Sequence, residues 1–141
     1  MSFVLDASVA LLWLVPDTNP AGVDYASATL KALGQSQARV PSLFTLEVAN
    51  VVAKVESKGH VAEADSQRFI ALLGQLNFIT DQATAAQALG DTLNIARRYK
   101  LSAYDAAYLE LALRTGLPLA TLDANLANAA TIAGVLIFGS H

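Results

Sequence analysis

The segment FVLDASVALLWLV, residues 3–15, changes its character at one carboxylate. Phe3-Val4-Leu5 is a short apolar run without alternation and reads as a buried strand. Asp6 ends the run. Ala7 to Leu14 is predicted as a short helix, stopped by Pro16. The strand-then-helix order continues outward from there. Pro20 to Leu33 has helical spacing, with Pro20 near its start and Gly34 as a stop. Ala38-Arg39-Val40 reads as a second short strand before Pro41. Ser42 is expected to cap a helix from about Leu43 to Lys58, ended by Gly59. Ala62 to Leu73 is a further predicted helix, and Phe78-Ile79 a strand stub. Ala83 to Tyr99 is predicted helical, and Ser102 opens a helix that ends near Gly116. Leu117 to Leu122 is predicted as a strand, Ala124 to Ala133 as a helix and Val135 to Phe138 as a last strand.

Strands alternating with helices imply a parallel sheet covered on both faces. No linker, repeat or low-complexity tract interrupts residues 1–141, so one α/β sandwich domain is expected over the whole chain. In such sheets ligands gather beyond the carboxyl ends of the strands, at the switch point. Asp6 and Asp123 both directly follow predicted strands, which puts two acids on that edge by topology alone.

Two more acids stand at element ends, Glu47 in SLFTLEVAN and Asp105 in LSAYDAAYL. Each of the four has a second reading. Asp6 and Asp123 precede helices and would serve as N-caps, as would Ser8. Ser102-x-x-Asp105 resembles a capping box, although Glu or Gln is the usual partner. Glu47 borders an apolar stripe formed with Leu43 and Val51, and Lys54 offers it a surface partner. The cap and site readings are compatible, because a helix N-terminus keeps a carboxylate ionised and available to a cation. Lone carboxylates are expensive to bury in apolar segments. Four of them converging without Lys or Arg repel one another unless a cation lies between them. Oxygen-only donors favour Mg²⁺ or Mn²⁺ over zinc, and such sites commonly perform phosphoryl chemistry.

Hydrophobic residues make up 54% of the chain and charged residues only 15%, against about 25% charged in ordinary soluble domains. Mean hydropathy is +0.42. The excess suggests apolar surface in need of cover, hence a homodimer or a permanent partner. No unbroken run of about 18 apolar residues appears, so no membrane span is expected. The N-terminus lacks a basic region, which argues against a signal peptide. Cysteine is absent, which excludes disulfides and thiolate metal sites and fits a reducing cytoplasm. The net charge of −3 at first argues against a polyanionic partner. Set the four candidate acids aside, however, and eight acids stand against nine bases. Arg97, Arg98 and Lys100 form the one basic cluster, read either as an RNA-facing patch or as a solvated helix C-terminus. Trp13 reads as core or interface, and Tyr104 and Tyr108, four apart, read as packing. His60 and His141 have no metal-ligand spacing.

Taken together, VLDASV, P-S-L-F-x-x-E-V-x-N, L-S-x-Y-D-A-x-Y-L-x-L-A, L-P-L-A-T-L-D-x-x-L and A-x-x-x-G-V resemble the PIN-domain ribonucleases. The closest likeness is to VapC-type toxins of toxin–antitoxin pairs. The segments occur in family order and run from end to end. The resemblance implies a PIN-like α/β/α sandwich with a short-stranded parallel sheet. It implies an Mg²⁺- or Mn²⁺-dependent endoribonuclease, a homodimer, silenced by a cognate antitoxin protein. Asp6 and Asp105 match the acids that hold the principal metal, Glu47 the second-motif acid and Asp123 the fourth and most variable one. Ser8 and Thr121 match small hydroxyl positions at the rim, and Asn125 stands at a supporting position. By the same analogy the RNA products carry a 5′-phosphate and a 3′-hydroxyl.

Two rivals remain. A haloacid dehalogenase-like phosphohydrolase also places an Asp after its first strand but wants a second Asp two residues on, where this chain has Ser8. A catalytically inactive PIN scaffold serving as a binding module is opposed by the intact set of four acids.

Overall fold

Strand β1 (Ser2–Leu5) lies inside a four-stranded parallel sheet of order β3-β2-β1-β4. Its partners are β2 (Gln37–Val40) and β4 (Leu119–Ala120), with β3 (Phe78–Thr80) at the outer edge beyond β2. The register places Phe3 opposite Ala38 and Leu5 opposite Ala120. Phe3, Val4 and Leu5 are all fully buried. Successive strand residues point to opposite faces, so both faces of the sheet are covered at β1. The computed structural model describes residues 1–15 and 17–139. The helix stop expected at Pro16 and the terminal His141 lie outside the described residues.

Helix α1 (Ala7–Ala10) runs into a 3₁₀ turn at Leu11–Trp13. The side chain of Asn19 caps α2 (Pro20–Ala32), accepting from the Ala21 N–H at 3.1 Å, with Pro20 at the first helical position. Helices α3 (Phe44–Ser57) and α4 (Glu63–Gln75) follow β2. The expected cap at Ser42 is not made. Helix α3 starts without a side-chain cap, and the Ser42 N–H instead donates to Thr84 Oγ1 at 3.0 Å.

The helix expected over Ala83 to Tyr99 is divided. Helix α5 (Thr84–Gln87) passes through a π turn at Ala88–Thr92, where Gly90 leaves helical geometry, before α6 (Leu93–Tyr99) resumes. A glycine inside a helix costs about 1 kcal/mol relative to alanine, and the break falls there. Ser102 does cap α7 (Ala103–Thr115), and Gly116 closes it at φ +72°, a left-handed conformation that suits glycine. Helix α7 is buried from Ala106 to Ala112, with Glu110 the one charged residue in that run. After β4 comes α8 (Ala124–Ile132). The last expected strand is reduced to one bridge, Leu119 to Ile137, because β4 offers only two residues to pair with. Phe138 nevertheless returns to the core and stacks on Phe3 at 4.0 Å between ring centroids.

Candidate functional site

The carboxyl ends of β1 and β4 meet at Asp6. The Asp6 N–H donates to the Ala120 carbonyl at 2.9 Å, which fixes the start of α1 against the end of β4. Asp6 occupies the N-cap position of α1 yet makes no side-chain cap bond. Its Oδ2 instead accepts from two hydroxyls, Ser8 Oγ at 2.6 Å and Thr121 Oγ1 at 2.8 Å. Both hydroxyls are themselves held. Ser8 Oγ accepts from the Leu122 N–H and Thr121 Oγ1 from the Asp123 N–H, each at 3.0 Å. The small hydroxyls expected near the site thus stitch the β1–α1 junction to the β4–α8 junction around one carboxylate. Asp123 does cap α8, its Oδ1 accepting from Leu126 N–H at 2.9 Å.

Asp105 lies in the first turn of α7, where its N–H donates to Ser102 Oγ at 3.1 Å. Only that half of the capping box forms. Among the described residues the Asp105 carboxylate accepts no hydrogen bond, so it remains free to face the other acids. Glu47 projects from the first turn of α3, half-buried. Among the described residues it makes no ion pair with Lys54. Its partner is Tyr108, whose hydroxyl donates to Glu47 Oε1 at 2.5 Å. Tyr108 is wholly buried while Tyr104 is 63% exposed, so their shared spacing conceals different environments. Tyr108 packs as expected, but its hydroxyl reaches the acid cluster. A signal was present: a buried tyrosine hydroxyl needs a partner, and Tyr108 sits one helical turn after Asp105.

Three of the four carboxylates are raised in pKa by burial and by neighbouring negative charge. Burial raises Asp6 above the usual carboxylate range against the pull of its two hydroxyls, and the charge of Asp123 adds to the rise. Burial raises Glu47 too, with Asp6 and Asp105 adding repulsion against the Tyr108 hydrogen bond. Asp105 is pushed up to about 6 by burial, then by Asp123 and Asp6. Burial and the Glu47 carboxylate hold the Tyr108 phenol far above its ordinary value, so it stays a donor. Among the described residues none of the four acids forms an ion pair. Nor do any three His, Cys, Asp or Glu side chains among the described residues close on one ion-sized point. Asp6 Oδ2, Asp123 Oδ1 and Glu47 Oε1 are each drawn to a hydrogen-bond donor instead. The donor set still suits a hard divalent cation: oxygen only, anionic, and destabilised by its own charge.

Two of the three basic residues, Arg98 and Lys100, line a cleft of about 370 Å³ against α8, with Tyr99, Asn125, Asn128 and Ile132. Lys100 closes α6 in the left-handed conformation, two residues before the Ser102 cap. Asn125 belongs to the wall of this cleft and, among the described residues, makes no side-chain hydrogen bond to the acids. Arg97 is exposed and donates to Asn94 Oδ1 at 3.3 Å, outside the cleft lining. Trp13 packs against the core, and its Nε1 donates to the Ala26 carbonyl at 2.8 Å. No helix among the described residues is long and apolar enough to cross a membrane.

Comparison with known proteins bears on the family and the fold. The chain is 29% identical over 127 residues to "Ribonuclease VapC3" of Pyrobaculum aerophilum, a match covering 90% of this chain and 93% of that relative. Two solved structures share the fold. One is a toxin–antitoxin complex from Klebsiella pneumoniae, with TM-score 0.62 and 21% identity over 95% of each chain. The other is VapBC2 from Rickettsia felis bound to a DNA fragment from their promoter, with TM-score 0.65 and 14% identity over 97% of each chain. The PIN domain sequence model matches residues 3–132, nearly the whole span from β1 through α8, and the chain belongs to the PIN domain family.

Proposed function

We propose that this chain is an Mg²⁺- or Mn²⁺-dependent endoribonuclease that acts as the toxin of a toxin–antitoxin pair. One observation carries the reading: carboxylates from four separate segments crowd at the carboxyl edge of the sheet, three of them raised in pKa, with no basic partner among the described residues. The ribonuclease relative and the toxin–antitoxin neighbours support the activity and the class.

In this reading Asp6 and Asp105 hold the principal cation, and Glu47 and Asp123 complete its surroundings. A bound divalent ion supplies Lewis acidity, which acidifies water and offsets charge developing on the phosphodiester. Ser8 and Thr121 fix the orientation of the Asp6 carboxylate through Oδ2. The N-cap bond of Asp123 fixes one of its oxygens against α8. Asp105, pushed up to about 6 by burial and by Asp123 and Asp6, would have to be deprotonated to hold a cation. Arg98 and Lys100 hold the RNA backbone beside this edge, with Asn125 and Asn128 available for hydrogen bonds. The cognate antitoxin silences the enzyme. The chain acts in the cytoplasm as a homodimer through aliphatic surface, for which the exposed Leu89 and Leu136 provide material. Light scattering at micromolar concentration should return twice the chain mass, and a monomer would count against that surface.

The activity is tested on mixed RNA with Mn²⁺. The unaltered chain should cleave, and Asp6→Asn and Asp105→Asn should lose at least about a hundredfold in rate while remaining folded. An Asp6→Asn chain that binds Mn²⁺ normally and still cuts RNA would sink the assignment. An unaltered chain that binds RNA without cutting it would instead favour a PIN scaffold used only for binding. The Asp6→Asn chain also serves to measure RNA affinity over a salt series, where Arg98→Ala should weaken binding and flatten the salt slope.

A further inference from the structure

Glu47 is held by a side chain from the interior of the protein. The 2.5 Å bond from Tyr108 Oη reaches Glu47 Oε1 across 61 residues of sequence and joins α7 to α3. The phenol ring is fully buried, among the largest such side chains in the molecule, so its hydroxyl has one fixed position. Glu47 is the opposite: a half-exposed carboxylate on three rotatable bonds, repelled by Asp6 and Asp105. Left alone it would swing away from those charges into solvent. The tyrosine hydroxyl occupies Oε1, and among the described residues Oε2 has no hydrogen-bond partner. Asp105 sits three residues earlier on the same helix, so α7 supplies both a cluster acid and the group that holds a second acid beside it.

We infer that Tyr108 is a positioning residue for the acid site, holding Glu47 as a one-oxygen donor to a divalent cation by fixing its other oxygen. The inference rests on the cation reading proposed above. Outer-shell hydrogen bonds of this kind act through the ligand they orient, and their loss commonly weakens metal affinity by about tenfold or more. A role confined to packing would act on the fold whether or not Glu47 is present.

The test is a four-chain comparison: unaltered, Tyr108→Phe, Glu47→Ala and the double variant. Mn²⁺ affinity is titrated for each by electron paramagnetic resonance of the free ion, without RNA, and thermal unfolding is followed in parallel. Tyr108→Phe keeps the ring and removes only the hydroxyl. It should weaken Mn²⁺ binding by about tenfold in the unaltered background and by less than about twofold once Glu47 is alanine. Equal effects in both backgrounds, or no effect in either, overturn the positioning role. An unaltered chain that binds no Mn²⁺ overturns the cation reading itself, a result separate from either. Should Tyr108→Phe not fold, Tyr108→Met, which also lacks the hydroxyl, takes its place in the same cycle.

Discussion

Thr121 serves two neighbours with one oxygen: it donates to Asp6 Oδ2 and accepts from the Asp123 N–H, in a position only 5% exposed. Replacing it by the near-isosteric valine leaves a buried carboxylate with one donor fewer and a backbone N–H without its acceptor. Unsatisfied buried groups of this kind cost about 1–3 kcal/mol. Thr121→Val should therefore lose stability in that range by urea denaturation at neutral pH. Ser8→Ala should lose less, because Ser8 is only half-buried and water can replace it. A neutral Thr121→Val would mean that the hydroxyl does not hold Asp6. The acids were readable one by one because each stands at an element end, and the strand runs FVL and LPLA alone put Asp6 and Asp123 on one edge. Their mutual arrangement was less readable. The Asp6–Thr121 bond spans 115 residues and the Glu47–Tyr108 bond 61, and no local pattern encodes contacts of that reach.

Among the elements, α7 and β3 are tied by one arginine. Arg114 donates through Nε and Nη2 to Glu110, one turn back on α7, and through Nη1 and Nη2 to Asp81 just beyond β3. Glu110 is nearly buried, and the Arg114 side chain is 30% exposed. The same guanidinium holds the Asp81 carboxyl below its usual range. Removing one partner of a buried pair costs about 3–5 kcal/mol, and the partial exposure here scales that to roughly 2–3. Arg114→Met should lower stability by that amount in urea, and adding Glu110→Gln should recover part of it, since a buried amide is cheaper than a buried carboxylate. No recovery would point to lost packing of the arginine stem. Element types were legible wherever an apolar run or a cap was explicit, as at β1, α2 and α7. They were misread where tertiary context decided: Ser42 turned its N–H to Thr84, and residues 135–138 found only two strand residues to pair with.

The molecule as a whole carries its site as stored repulsion. Asp6, Glu47 and Asp105 are all raised, so the folded chain retains protons that the unfolded chain has already released. For Asp105 the window runs from the ordinary value near 4 up to about 6. Within it the native state binds more protons than the unfolded state, so stability falls as pH rises. Below about 4 both states are protonated and this contribution levels off, while the lowered Asp81 begins to lose its ion pair with Arg114. The cation-free chain should therefore melt at a lower temperature at pH 7 than at pH 5, contrary to the usual behaviour of a protein whose carboxylates are paired. Mn²⁺ should reverse the trend. An ion held by these acids would compete with protons for the same oxygens, so it should raise the melting temperature more at pH 7 than at pH 5. Differential scanning calorimetry at the two pH values, with chelator and with Mn²⁺, measures both slopes. In Asp105→Asn the cation-free slope should shrink, because one source of that proton uptake is gone. A slope unchanged by that substitution would mean that Asp105 is not its source.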